Sequence, residues 1–580
     1  MHPHHSLWNK REKRNQISVV RGERAPSKVI TNATFLNSGR KQWTTANIWI
    51  YADRIVYVGD ALPTKTEGTE WTDASGQWIV PGYIEHHAHP FIGYNPETFA
   101  NYALERGTST IFNDNLILMM NLEKKKALTL ITEMNKGPSS IYWSCRIDSQ
   151  TETKDEHSVF TPQALEEWLN HPLVVQGGEL TGWPKVISGD DTLLHWMEEV
   201  LKRNKRIEGH LPGASERTLA QLAILGVTSD HEAISGEEVL KRLDAGYTTT
   251  LRHSSLRPDL PLLVKEIVDA GITNFNRFLM TTDGGNPSFY EPGVMDQLLR
   301  IAIEGGIDPI AAYEMASYNV ARHYGIDAHH GMIAPGRLAH LNFLEDVTNP
   351  APVSVLAKGE WIVRDKELVY TNEPFPWNDY TKPWKPLNWD LKDDDLHFSM
   401  PMGIHLVNSV LLKPYHIDVD GAVDELSPDH DECFFAMFDK EGKWRMNTII
   451  KGFASNLDGL ATSYSITGDV VLIGKKKSAM KQAFEQLKEQ GGGISIVQSE
   501  QNVCNWKFPY YGVMSDQPME TLIEEHRAFE NVMKEAGYSF DDPLYSIFFF
   551  SSTHLPYVRM TSKGIYDVHK KSVLFPTIMR

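Results

Sequence analysis

Between Lys28 and Asp60 apolar and polar positions alternate, with Val29, Ile30, Ile48, Ile50, Ile55, Val56 and Val58 falling between turn residues. That is the pattern of strands with one buried face. It returns from Leu338 to Val369, through Leu341, Val353 to Leu356 and Trp361 to Val363. These stretches fit two separate hairpin regions or a single sheet. Between them the pattern changes to short apolar runs that end in polar residues. Val80 to Ala88 ends at His89, Pro172 to Val175 leads to Gly177-Gly178-Glu179, and Ile207 leads to His210. Gly226 to Ser229 leads to His231, and Phe278 to Met280 leads to Asp283. The spacings leave room for a helix between successive runs. Parallel strands alternating with helices predict an α/β barrel, whose chemistry lies at the C-terminal strand ends.

After the barrel, Pro374 to Asp395 is rich in Pro, Trp and Asp and reads as a linker or covering segment. From Gly403 to Arg580, strand-like runs such as Val470 to Ile473 mix with helical ones, Ser478 to Glu489 and Glu520 to Ala536. This predicts an α+β domain with its own core. Gly491 to Gly493 is expected to end a helix rather than to cradle a phosphate. Met1 to Arg24 is polar and basic without the apolar segment of a secretory signal. A solvated, poorly ordered extension is expected there, with His2, His4 and His5 free of metal.

Composition narrows the function. The 580 residues allow two to four domains, and 41% hydrophobic residues can fill sizeable cores. Lys plus Arg number 57 against 75 Asp plus Glu, a net charge of −18. A phosphate-backbone binder wants a basic footprint, so a nucleic-acid partner is not expected. The runs Lys124 to Lys126 and Lys475 to Lys477 read as solvated helix starts. The H-x-E and P-C-x-x-C signature of nucleic-acid deaminases is absent. No apolar run reaches the roughly 18 residues of a spanning helix, so no membrane partner is expected. Cys145, Cys433 and Cys504 are far apart, as in a reduced, cytoplasmic protein.

The polar residues at the run ends carry the chemistry. His87 and His89 lie two apart in a strand and point the same way. One such pair is weak evidence in a chain with 23 histidines. Joined by Glu179, His210, His231 and Asp283, all at candidate strand ends, it predicts a metal centre.

In this order, His-x-His, then Glu, His, His and Asp, the chain resembles the amidohydrolase superfamily. In detail it resembles the adenine deaminase family and its YerA-type branch. The stretches that carry the likeness are Val80 to His89, Gly177 to Trp183, Glu208 to Gly213 and Ser229 to Glu232. Others are Leu251 to Ser254, Thr282-Asp283, Met315 to Asn319 and Ala334 to Arg337. Beyond the barrel, Ile450 to Phe453, Gly491 to Gly493 and Gly512 to Ser515 resemble that family's C-terminal domain.

The resemblance implies an N-terminal extension (1–24), one small β domain from both flanks (25–80 and 335–372) and a TIM-like (β/α)8 barrel (81–334). A linker (373–400) and a C-terminal α+β domain (401–580) complete it. It implies two divalent metal ions, manganese, iron or zinc. His87, His89 and Asp283 hold one, His210 and His231 the other, and Glu179 bridges them in place of a carboxylated lysine. The implied reaction is hydrolytic deamination of adenine or a 6-substituted adenine to hypoxanthine, by attack of a metal-bridging hydroxide. Asp283 takes and passes on the proton, and Glu232 is the second shuttle or a helix N-terminal carboxylate. Arg252, His253, Asn113 and Asp114 are the candidate substrate contacts, Arg252 and His253 being equally suited to holding the ligands. A homo-oligomer is implied as well.

The chain departs from the family around the pocket. The family's Asp-Pro-His-Glu is Asp114-Asn115-Leu116-Ile117 here, and its Ile-Glu-Ser-Ser is Pro90-Phe91-Ile92-Gly93. The glutamate that follows an arginine is His253, and a His-Asp-Ser-His run gives way to Ser463 to Asp469. The metal set is intact while the rim is rewritten, which opens room for a 6-substituted purine. Two further readings stay open: another heterocycle or cyclic amide as substrate, and a non-catalytic purine-binding protein.

Overall fold

The computed structural model describes residues 9–151, 156–381, 384 and 387–580. Eight parallel strands form its centre: β1 Tyr83–Ala88, β2 Thr108–Asp114, β3 Ser140–Cys145 and β4 Val174–Leu180. β5 Arg206–Gly209, β6 Ser229–Asp230, β7 Thr248–Arg252 and β8 Phe278–Thr281 follow, each paired with the next in chain order. β1, β2, β3 and β4 are buried along their whole length, as strands are when covered on both faces. The last strand meets the first through Glu85. Its carboxylate accepts from the Thr281 hydroxyl (2.6 Å), the Thr282 N–H (2.8 Å) and the Thr282 hydroxyl (2.7 Å).

The outer helices are placed by caps and apolar stripes. In Asp191–Lys202 the Asp190 carboxylate caps the start, and Leu193, Trp196, Met197 and Val200 form the buried face. Strands from both flanks of the barrel join in one nine-stranded sheet. Its joint is Trp78–Pro81 running antiparallel to Leu341–Leu344, with Val80 opposite Asn342.

The C-terminal region has a second nine-stranded sheet and a small three-stranded one. Its strand Glu432–Phe438 serves two cores by alternation: Phe434, Ala436 and Phe438 pack with the helix Lys477–Gln490. Cys433, Phe435 and Met437 belong to the core that is continuous with the barrel. That helix ends at Gly491, whose φ of 80° is left-handed, as expected of a helix-ending glycine.

Two local expectations change, and the structure chooses between the alternatives of a third. The N-terminal stretch contains a helix, Lys10–Val20, closed by a capping box of Asn9 and Glu12, with Gln16 and Val19 buried. Its Gln16 side chain accepts from Arg54 at 3.1 Å, so the segment is docked rather than solvated; His2, His4 and His5 lie outside the described residues. Lys475 is buried, not solvated, because its ammonium donates to the carbonyls of Ser427 (2.7 Å), His430 (2.6 Å) and Glu432 (3.0 Å). The Pro-Trp-rich segment is strapped to the barrel, its Phe375 N–H and Trp377 indole both donating to Glu97.

Candidate metal centre

Every candidate ligand sits where a barrel strand passes into its following loop. His87 is inside β1 and His89 just beyond it, on one side of the strand. Glu179 is the penultimate residue of β4; His210 and His231 follow β5 and β6, and Asp283 comes just after β8.

The donor atoms converge. Nε2 of His87 and Nε2 of His89 are 3.1 Å apart, and Asp283 Oδ1 is 3.2 Å from each. Glu179 divides its oxygens between two groups: Oε2 lies 4.0 Å from His87 Nε2 and 3.7 Å from His89 Nε2. Its Oε1 lies 2.5 Å from His210 Nδ1 and 3.6 Å from His231 Nε2. Three overlapping triplets each have their donor atoms within 4.8 Å: His87-His89-Glu179, His87-His231-Asp283 and Glu179-His210-His231.

The opposite ring edges explain what the converging atoms are. His87 Nδ1 faces Glu208 Oε2 at 3.1 Å, His231 Nδ1 faces Glu208 Oε1 at 3.2 Å, and His89 Nδ1 faces Asp114 Oδ2 at 3.0 Å. A carboxylate only accepts, so each Nδ1 carries the hydrogen and a neutral ring presents a lone pair at Nε2. Lone pairs 3.1 Å apart repel unless a cation lies between them. His210 Nδ1 and His231 Nε2 are buried, and neither makes an aligned hydrogen bond, although Glu179 Oε1 lies close to His210. The donor set fits a divalent cation.

Charge says the same. Burial would raise the Glu179 carboxyl, but Arg146 and His210 hold it well below the usual range. Burial would raise Asp283 too, yet Arg252 and His231 keep it ionised. His231 is pulled down by burial and by His87, but Asp283, Glu179 and Glu208 push it up to about 10, so without a cation this ring takes up a proton at Nε2 in its place. Positive charge is what this cluster draws in. Arg146 is completely buried and ties the scaffold together, donating from Nη2 to Glu179 Oε2 (2.6 Å) and from Nε to Asp114 Oδ2 (2.8 Å).

The amidohydrolase family pattern matches residues 78–364, and the pattern of the adenine deaminase C-terminal domain matches residues 413–572. A Halalkalibacterium halodurans protein named "Putative adenine deaminase BH0637" is 58% identical over 574 residues, 99% of either chain. The chain belongs to the adenine deaminase family. "Putative adenine deaminase YerA" of Bacillus subtilis is 45% identical over 573 residues, again 99% of either chain. An "Adenine deaminase" of Bacillus velezensis is 24% identical over 583 residues, 97% of this chain and 98% of that one.

In this adenine deaminase family member the donor cluster opens into a cavity of about 380 Å³. His89, Glu179, His210, Glu232, Arg252 and Asp283 line it from the barrel, and Tyr545, Phe548 and His554 from the C-terminal region. Arg252 is held by acids: its Nη1 donates to Asp283 Oδ2 at 2.6 Å and also to Glu232 Oε1. Glu232 does not start a helix, since the next one begins at Gly236. It accepts from Arg257 as well (2.8 Å), and despite burial these arginines and the neighbouring histidines lower it to about 2.

Three expected substrate contacts lie off the cavity lining. His253 extends the pairing with β8 through its N–H to the Thr281 carbonyl, and its ring packs on Phe289 at 5.5 Å. Neighbouring strand residues face opposite sides, so Arg252 and His253 cannot both enter. Asn113 is wholly buried within β2, and Asp114 is spent on His89 and Arg146. Glu208, Arg146, Arg257 and the C-terminal lining residues were not anticipated. Glu208 had a usable signal, a carboxylate two residues before ligand candidate His210 on the same strand end; Arg146 and the C-terminal residues had none.

Proposed function

We propose that this chain hydrolyses adenine or a 6-substituted adenine to hypoxanthine, releasing ammonia or an amine, with two divalent cations bound in the donor cluster. The observation that carries this reading is the convergence of His87, His89, His210 and His231 on the divided carboxylate of Glu179, with Asp283 beside them at the cavity floor. His87, His89 and Asp283 would hold one cation, His210 and His231 the other, with Glu179 between. Manganese, iron and zinc all suit imidazole and carboxylate donors. The cations, when bound, supply Lewis acidity and a water made acidic enough to attack near neutral pH.

The protein's own groups handle protons and orientation. Asp283 takes the proton of the attacking water and delivers it to the departing amine. Arg252 fixes that carboxylate through Oδ2, leaving Oδ1 on the side of His87 and His89. Glu232, ionised between Arg252 and Arg257, acts as an acceptor for an N–H of the base, handing protons on only after receiving one. The rewritten rim supports the 6-substituted purines: Phe91 and Ile92 line the cavity together with Leu256, Phe548 and Phe549. Such a wall tolerates an added apolar group where a polar rim would reject it.

The substrate is a free base of small size, consistent with the net charge of −18. No helix among the described residues is long and apolar enough to cross a membrane. The three cysteines are unpaired, which supports a reducing, cytoplasmic setting. The test is release of ammonia and amines, with hypoxanthine formation, across a panel of 6-aminopurines using metal-loaded enzyme. Hypoxanthine from at least one of them is expected; its absence throughout would overturn the reading.

A further inference from the structure

His554 comes from the C-terminal region but borders the same cavity as His89, Glu179, His210 and Asp283. Its ring stands edge-on to His210, with centroids 5.6 Å apart and planes at 89°, and against Phe549 at 6.1 Å. It belongs to none of the groups of converging donor atoms, so it is a wall of the site and not a ligand. The wall is firmly held. The Thr151 hydroxyl donates to the Ser551 carbonyl at 2.6 Å, tying 551–554 to the loop after β3. His554 Nδ1 lies 3.4 Å from the Gln150 carbonyl. Arg559 is fully buried and donates to the Val410 carbonyl at 2.9 Å and the Phe549 carbonyl at 3.4 Å, fixing two more positions of the lining.

A carbonyl oxygen only accepts, so the hydrogen of the imidazole is on Nδ1 and Nε2 carries the lone pair. The cavity thus has a hydrogen-bond acceptor supplied from outside the barrel. Glu179 and Asp283 are engaged with the metal donors, and Glu232, held by two arginines, already serves the exocyclic N–H of the base. A free purine base has one N–H on its five-membered ring, and a base substituted at that nitrogen has none.

We propose that His554 is a specificity-determining residue whose Nε2 accepts the ring N–H of a free purine base, so that the C-terminal region selects bases over ring-N-substituted ones. This rests on the purine deaminase reading of the metal centre. A site built around a hydrogen-bond donor on its ligand discriminates strongly against an analogue lacking it.

The test compares full-length, metal-loaded wild type, His554→Phe and His554→Gln. Each is given a 6-aminopurine and its counterpart methylated on the five-membered ring nitrogen, and metal content is measured in parallel. His554→Phe should raise KM for the free base about tenfold, the scale of one lost hydrogen bond, with kcat and metal content little changed. His554→Gln, which keeps an acceptor near the Nε2 position, should recover most of that loss. The methylated base should be handled alike by wild type and His554→Phe. An unchanged preference for the free base in His554→Phe would overturn the proposal. If the wild type turns over no purine, the deaminase reading fails on its own. His554 is then judged by calorimetric binding of hypoxanthine and its ring-N-methylated form to the same proteins. Equal loss of both, or no binding of either, overturns the proposal there too.

Discussion

At the scale of single residues, Glu208 carries more than its place in the sequence suggests. One buried carboxylate receives the Nδ1–H of both His87 and His231, fixing two rings from two strands at once. Glu208→Gln keeps the shape but can satisfy only one of those donors with its carbonyl oxygen. Metal affinity should fall roughly 10- to 100-fold, read as metal retained after dialysis against a graded chelator. Asp469 offers a pH signature away from the site. Burial, opposed by the Thr467 hydrogen bond and helped by Asp439, raises its carboxyl to about 6. The folded chain therefore holds this proton where the unfolded chain has lost it, between about pH 4 and 6. Its stabilising contribution is full below that window and is lost as pH rises through it. Asp469→Asn should remove that decline and unfold at a higher temperature at pH 7, measured by calorimetry from pH 4 to 8.

At the scale of elements, the short helix Pro543–Phe548 links the C-terminal region to the barrel mouth. Asp542 caps it by accepting from the Tyr545 N–H and also receives the Asn286 amide at 2.7 Å from the loop after β8. The Tyr545 hydroxyl donates to the Gly284 carbonyl, next to Asp283. Asp542→Ala should cost about 1–2 kcal/mol for the lost cap and leave the Asn286 amide buried and unpaired. Urea unfolding should show the loss, and steady-state kinetics should show a raised KM because Tyr545 and Phe548 line the cavity. The strand ends were legible in the chain because the candidate ligands follow buried apolar runs, and each of those runs lies in or leads into a barrel strand. The helix Lys10–Val20 was not, because a polar composition conceals an element whose start depends on a local capping box.

At the scale of the molecule, four imidazoles and two ionised carboxylates are held together by packing that extends from the barrel into the C-terminal region. A cation held by these groups binds the folded chain and not the unfolded one, so metal removal should lower the unfolding temperature, and readdition should raise it with concentration as a ligand specific to the folded state does. Reconstitution should be indifferent to dissolved carbon dioxide, because Glu179 supplies its carboxylate directly. A dependence on carbon dioxide would contradict its place between the two donor groups.

The chain by itself determined the barrel and the candidate donor residues at its strand ends. A parallel strand buried on both faces has a continuous apolar signature, and a candidate ligand at its end is marked by position alone. Only the tertiary structure decided which polar residues enter the cavity. His253 and Asp114 read as well as Arg252 in one dimension, but strand alternation and the buried charges of Arg146 and Glu232 send them to different partners. Nor could spacing bring His554 beside His210. That contact depends on how two domains pack, and packing is set by the sum of many weak, non-local interactions that no short motif records.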